Sequence, residues 1–402
     1  MSVILLGVPS HLRVRNLCWG NMVTEIVPIT FKYSHTIGRQ ELRGGNGFFN
    51  PVGIARGSGD LIYVVSRGTD SPALTPCKRV TICTVAEEYV GQFGQKVLPE
   101  EASPSAPDGA FEWPTAIALD RQGNAYVSDE WLNRISIFSR DGEWIGKWGK
   151  TGDADGEINR PSGLAFGKDD NLYLVDSANS RIQVFTKEGK FLFKWGWSGS
   201  GDGEFNLPWG VDVYEDGDVY VADWRNDRIQ KFSPDGRFLM EFGTSGPGDG
   251  EFNRPTGVAV DKDGTIYVTD FKNDRLQVFD ADGSLVTKLA GEATLSKWGR
   301  ERVELDSVAL KGREMAPGLE ERERPFQGPI AVDVDDEGRV FVVECARHRL
   351  QVFRKQSPYS MAVPCSNPDR GQHAHRSAPL AYHRLKPGHQ NLTPAISKRG
   401  LG

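Results

Sequence analysis

The chain has 402 residues, 38% hydrophobic and 25% charged, with a net charge of −6. That is a globular balance, and no apolar run approaches the roughly 20 residues of a membrane span. Residues 1–45 carry +3 and 354–402 carry +7, leaving −16 on 46–353, an acidic body poorly matched to a nucleic-acid backbone.

Residues 1–29 show no readable pattern and form an N-terminal extension. The stretch Phe31–Gly38, FKYSHTIG, then matches Gly236–Gly243, GRFLMEFG. A repeat begins at Asn50 with NPVGIARGSGDLIYVVS. Clearer copies follow around Pro114, Pro161, Pro208 and Pro255, spaced 47 residues apart from one another, and a sixth starts at Gly328 with GPIAVDVDDEGRVFVVECARHRLQVF. The fifth copy, NRPTGVAVDKDGTIYVTDFKNDRLQVF, shows the unit. Gly257–Val260 is a small apolar strand and Asp263-Gly264 a tight turn. Thr265–Thr269 is β-branched and alternating, Asp270–Asp274 a loop, and Arg275–Asp280 a third strand. A second Asp-Gly turn, Asp282-Gly283, leads into a fourth. Both turn residues tolerate positive φ, and β-branched alternation suits a pleated surface. Four antiparallel strands per unit, six times over, predict an all-β fold, a six-bladed β-propeller.

The sixth copy has only three strands, ending near Phe353. The N-terminal strand at Phe31–Gly38 supplies the fourth and closes the ring, removing an exposed edge; Met361–Pro364 is the alternative. The propeller then spans 30–354. Residues 355–402 form a basic tail, rich in Pro, His, Arg and Ser, read as disordered. Five scattered cysteines (Cys18, Cys77, Cys83, Cys345, Cys365) give no disulfide framework and no zinc spacing, and point to a reduced, cytoplasmic setting. A monomer is expected.

The motif P-x-G-[VL]-A-x-x-x-x-G-x-[IL]-Y-[VL]-x-D-x-x-N-x-R-[IL]-Q-x-F closely resembles the NHL repeat. It departs in the first copy, where Ser66 replaces the Asp, and in the last, where Glu344 does. Families with such propellers include tripartite-motif ubiquitin ligases, Brat-like translational repressors, an amidating lyase and bacterial sensor kinases. No zinc-finger or kinase motif flanks the repeats. The lyase resemblance implies a histidine-bound metal in the channel, but no histidine lies between residues 36 and 347. That also excludes a Ser-His-Asp triad there. Resemblance to Brat-like propellers implies RNA binding through a basic face, which the −16 body opposes.

Recurring chemistry differs from unique chemistry. Asp129 with Arg134, Asp176 with Arg181, Asp223 with Arg228, Asp270 with Arg275 and Glu344 with Arg349 keep one offset. A pair repeated in nearly every blade is scaffolding, an acid–guanidinium contact with an Asn bending the loop between. The Gly-rich connections at Gly152–Glu157, Gly201–Glu204 and Gly248–Glu251 raise calcium as a weak possibility; otherwise no metal and no cofactor is expected. The rim that joins the blades carries every departure from the repeat: insertions between Ser66 and Arg79, between Gly94 and Pro114, and the charged stretch Lys297–Arg324. It also carries Trp113, Trp131, Trp209, Trp224, Arg225, Phe271 and Lys272, a candidate contact surface for a protein or peptide. Asp212 replaces the Ala found four residues after the repeated Pro (Ala55, Ala118, Ala165, Ala259). An acid on the innermost strand needs a partner and marks the channel as the rival, enzymatic site, lactonase-like with a divalent metal.

Overall fold

The computed structural model describes residues 29–42, 44–69, 77–96 and 107–356, with backbone alone at 13–14, 26–27 and 95–96. Most of the N-terminal extension, parts of the first two insertions and the tail from 357, including Met361–Pro364, lie outside the described residues.

The chain is a ring of six four-stranded antiparallel blades. In the third blade the strands are Pro161–Phe166, Leu172–Asp176, Arg181–Phe185 and Phe191–Trp195, paired in sequence order from the channel outward. Every residue of its two middle strands is buried, whereas the outer strand alternates half-buried and exposed. That follows from packing: middle strands are covered on both faces by neighbouring blades, so both pleat faces are apolar. The resulting core lies between blades. One cluster joins Tyr173, Val175 and Ile182 of the third blade to Phe205, Val211 and Phe232 of the fourth.

The closing strand is N-terminal. Thr30–Ile37 pairs antiparallel with Arg349–Gln356 in register Thr30↔Gln356 to Ile37↔Leu350. The last blade's outer edge is thereby filled from the other end of the chain. Five of the six outer strands are followed directly by a glycine at positive φ; in the fifth blade Ala290 precedes Gly291. A Cβ on Gly243 (φ +95°) would sit 2.3 Å from the Phe252 ring, and one on Gly38 (φ +97°) 2.4 Å from Phe48. The following connection lays a phenylalanine over the bare Cα, which only glycine permits.

A buried hub fastens each regular blade. Asp176 ends the second strand with no exposure. Its Oδ1 accepts the Asn159 N–H at 2.6 Å; its Oδ2 accepts from Asn179 Nδ2 (2.9 Å), Arg181 Nε (2.7 Å) and Gln183 Nε2 (3.0 Å). Arg181 spends its other nitrogens on the carbonyls of Asp153, Ala154 and Glu157 in the connection from the previous blade. Asp223 with Arg228 and Asp270 with Arg275 repeat the acid–Nε contact at 2.9 and 2.7 Å, and Glu344 with Arg349 does so at 2.7 Å with a side chain one methylene longer.

One blade departs from the expected pairing and another adds to it. In the second, Leu132 stands where the third, fourth and fifth blades have the Asn. Asp129 is held instead by the N–H groups of Glu112, Trp113, Trp131 and Leu132, and Arg134 turns to the Ala110 carbonyl at 2.7 Å. In the fourth, Arg228 is not the exclusive partner of Asp223. Its Nη1 donates to Glu241 on the outer strand, so the guanidinium bridges two carboxylates. Its Nη2 keeps the connection carbonyls of Gly201 and Glu204, both at 2.8 Å. The cause is one substitution in the repeat: Glu241 stands where the second, third and fifth blades have Lys147, Lys194 and Lys288. Those lysines pair with Asp108, Asp155 and Asp249 of the connections; an acid in their place reaches the nearest cation, Arg228, instead.

The charged stretch after the fifth blade forms three short helices, α1 (Lys297–Glu304), α2 (Ser307–Glu314) and α3 (Leu319–Glu323). Ser296 and Asp306 cap the first two, accepting from Gly299 and from Val308 and Ala309, as Ser and Asp do at helix starts. The start of this insertion is not a free loop. Glu87 of the first blade accepts the Gly38 N–H at 2.6 Å and the Trp298 N–H at 3.2 Å. Trp298, buried, packs edge-on against Phe48 at 6.0 Å. The insertion therefore straps the seam between last and first blades.

Two outcomes test this account. Removing residues 1–38 strips the closing strand and should lower the thermal melting midpoint, or abolish the cooperative transition, in circular dichroism; an unchanged melt contradicts the closure. Asp270→Ala leaves Arg275 buried without its acid and should cost about 3–5 kcal/mol in urea denaturation.

Candidate functional site

Each inner strand starts at its proline, on the rim where blade connections and second-to-third-strand loops meet. It ends at an Asp-Gly-type turn on the opposite rim. The residues just after each proline line a narrow channel of about 90 Å³, including Gly53, Ile117, Leu164, Val211, Val258 and Val332. Glycines let the inner strands close in: a Cβ on Gly210 would lie 2.2 Å from the Thr256 carbonyl oxygen, and the Gly163 N–H donates to Trp209 O at 2.8 Å. The channel lining includes Thr115 and Thr256 beside its apolar residues but no ionisable side chain, so the charged groups stand at its ends.

At the hairpin end lies a cavity of about 170 Å³ whose lining includes Arg56, Asp212, Val260, Asp261, Asp333 and Asp335. Asp212 Oδ2 accepts the Val260 N–H at 2.8 Å and Oδ1 the Val213 N–H at 2.9 Å. Asp333 Oδ1 accepts Arg56 Nε at 2.9 Å and the Val334 N–H at 2.7 Å. Each acid thus reaches the inner strand of the next blade. Burial pushes Asp212 up to about 6; the Val260 N–H opposes this, the Asp333 charge adds to it, and Arg56 opposes it. Burial also raises Asp333, against the pull of Arg56. Reading the sequence singled out Asp212 and missed Asp333, although Pro329 to Asp333 repeats the offset of Pro208 to Asp212. Among the described residues no group of three or more His, Cys, Asp or Glu is arranged to hold a metal.

The Gly-rich connections turn their acids inward. Glu204 Oε2 accepts the N–H groups of Ser200 (2.9 Å) and Gly201 (2.8 Å), and Glu251 Oε2 accepts that of Gly248 (2.7 Å). Asp155 pairs with Lys194 at 2.5 Å. Glu204 and Glu251, folded onto their own loops, act as turn-formers, whereas Asp155 stays 61% exposed.

The proline rim gathers the aromatics in two groups. Trp113 and Trp131 lie 4.9 Å apart between centroids, with Arg67 5.0 Å from the Trp113 ring. Trp209 and Trp224 lie 6.2 Å apart, with Arg225 and Arg254 over Trp224 at 5.6 and 4.9 Å. Lys272 lies 5.0 Å over Phe271. Trp131 is 52% exposed; Trp209 is half-buried and lines the channel. Asp212 is not part of this surface, lying at the opposite end of the channel. The structure adds Glu130, Arg160 and Arg254, which the sequence reading passed over. The signal for the arginines was their place before the repeated proline, where both hold positive φ (55° and 60°).

Residues 159–185, 205–232, 252–279 and 326–353 match the NHL repeat. No curated protein matches the chain. Among solved structures it is similar to a Bacteroides thetaiotaomicron VPI-5482 protein of unknown function, at 20% identity over 83% of this chain and 78% of that one, TM-score 0.56. It is also similar to a streptogramin B lyase, at 11% identity over 80% and 98%, TM-score 0.50. Both likenesses show the fold alone. No helix among the described residues is long and apolar enough to cross a membrane.

The Asp212 carboxyl should titrate near 6 in carboxyl-carbon NMR, against about 3.9 for an ordinary Asp. Arg56→Gln should raise that midpoint and Asp333→Asn lower it. Because the folded pKa is raised, the native state binds this proton more tightly. The stability it contributes is complete below about pH 4 and lost as pH rises through 6; a wild-type stability increment growing over that window relative to Asp212→Asn contradicts the assignment.

Proposed function

Because the chain carries NHL repeats on a six-bladed β-propeller, we propose that it is a non-catalytic scaffold that binds protein or peptide through the proline rim. The carrying observation is the pairing of Trp209 with Trp224 and of Trp113 with Trp131 beside stacked cations. Large, stiff aromatic surfaces next to guanidinium groups bury much area at small conformational cost and dominate binding energy at interfaces. The hubs beneath hold the loops, so the surface is preorganised.

One observation favours a second reading, catalysis at the hairpin end. A carboxyl raised to about 6 beside another acid and an arginine is poised for acid–base work near neutral pH. Against it, both Asp212 oxygens already accept backbone N–H groups.

Selection of a random decapeptide library displayed on phage against the full chain separates the two. Scaffold function expects enrichment that Trp131→Ala or Trp224→Ala reduces at least tenfold and Asp212→Asn leaves unchanged. No enrichment overturns it. Metal analysis of the purified chain serves the rival: stoichiometric calcium lost in Asp212→Ala would move the function to the channel.

A further inference from the structure

The cations of the proline rim fall into two electrical classes. Toward the first three blades they are neutralised in place. Glu130, 5% exposed, takes Arg67 Nη2 on one oxygen at 2.8 Å and Arg160 Nε on the other at 2.8 Å. Lys78, buried, pairs with Glu112 at 2.9 Å. Over blades four to six the pattern changes. Arg225, Arg254 and Lys272 stack on Trp224 and Phe271 and, among the described residues, have no carboxylate partner within ion-pair distance. The nearby acids Asp227 and Asp274 face other donors: Asp227 accepts the Arg254 N–H and the Ser245 hydroxyl, both at 2.7 Å, and Asp274 the Gly328 N–H at 2.7 Å.

We infer that this half of the rim is the docking strip for an acidic, extended peptide segment of a partner, a proposal that rests on the scaffold reading and gives it a chemistry. A guanidinium lying on a ring keeps its in-plane N–H edge for a planar acceptor, which a carboxylate supplies. Two arginines over one indole concentrate positive charge, and among the described residues no acid forms an ion pair with either guanidinium. The strip is continuous. Trp209 meets Trp224, Arg254 of the fifth blade lies over Trp224 of the fourth, and Phe271 reaches the sixth, where a Cβ on Gly328 would be 3.3 Å from its ring. A peptide with one or two carboxylates set among apolar side chains meets both features. A nucleic-acid strand fits less well. Three cations neutralise few phosphates, and an acidic lip, Asp261, Asp333, Asp335 and Asp336 among it, rings the opposite mouth of the same small molecule.

The peptides selected on the full chain read out the chemistry. Pools rich in Asp and Glu are expected. A synthetic member should bind at least tenfold more weakly to the Arg225→Ala/Arg254→Asn double variant, and when its acids are changed to Gln. It should keep its affinity for Arg160→Asn, the same rim position in the blade where Glu130 supplies the acid. A neutral pool that still needs Trp224 overturns this inference and leaves the scaffold reading standing; no enrichment overturns both. A random single-stranded RNA 20-mer that binds more tightly than the selected peptide, and weakens in the double variant, overturns it in favour of nucleic acid. Equal loss in Arg160→Asn and the double variant also overturns it, because the rim would then be electrically uniform.

Discussion

One buried carboxylate in each of blades two to six governs the loops around it. Asp176, Asp223 and Asp270 have no exposure, and an ion so placed is tolerated only when paired and fully hydrogen-bonded. The donors come from three places at once: the arginine opposite on the third strand, the Asn in the loop between, and the N–H of the incoming connection. Arg275 in turn needs the carbonyls of Gly248 and Glu251. Loop length, the αL residue Asp274 (φ 50°) and the Gly-rich turn are all conditions of satisfying that one acid. In the fourth and fifth blades the side chain just after the acid takes no part in the hub, and Trp224 and Phe271 stand there; in the second blade Trp131 lies one residue further on and lends its N–H to Asp129. Rigidity below and display above therefore have the same origin.

The ring's ends meet the constraint with altered parts. Glu344 replaces Asp, and its extra methylene still delivers Oε2 to Arg349 and Gln351 at 2.7 and 2.9 Å. Arg349 then takes the Glu323 carbonyl at the end of α3, tying the helical insertion into the last blade. Its other end is held by Glu87, Thr294 and Tyr33, the last two within 2.9 Å. The insertion thus braces the last blade, whose outer strand comes from the other end of the chain, against the first, and a larger share of its sequence goes to closure than its surface-like composition suggests.

The fold was legible because repetition exposes it: the 47-residue spacing, the Asp-Gly turns and the lone N-terminal strand gave the six blades and their closure. The hub pair was legible in the third to sixth copies and misread in the second. In the second, a Leu in place of Asn shifted the donors from side chains to backbone. In the fourth, the pair was right but incomplete, because Glu241 lies outside the repeated motif and adds a second carboxylate to Arg228. The helices of the insertion were not read, since Lys297–Arg324 lacks a sustained apolar stripe and owes its helices to caps and helix-forming residues. Asp333 was missed because only one exception to the repeated Ala was sought. Its companion Arg56 was invisible for a deeper reason: the contact joins the first and last blades, neighbours only once the ring has closed. The aromatic pairs were legible as a list; which cations lay over which rings was not, because Arg254 belongs to a different repeat from Trp224.

Net charge was the least transferable property of the sequence. A body of −16 argues against an anionic partner only if the charge is evenly spread. The minimal turns that make the hairpin rim tight are themselves built from Asp, which accepts the turn's own N–H groups, as Asp261 does from Asp263 and Thr265. Blades two, five and six repeat that device, and Asp169 and Asp216 accept one N–H each in blades three and four, so acids collect at this end for structural reasons. On the proline rim the hub acids are buried and the exposed connection acids Asp108, Asp155 and Asp249 are paired with lysines, so the strip over Trp224 and Phe271 shows rings and cations. At about 8–10 Å the field of the acidic end is screened at physiological salt, which leaves the cationic strip to be felt locally. Segregation of charge between the two rims is thus a by-product of how blades are turned and fastened, and a partner encounters the rim rather than the sum.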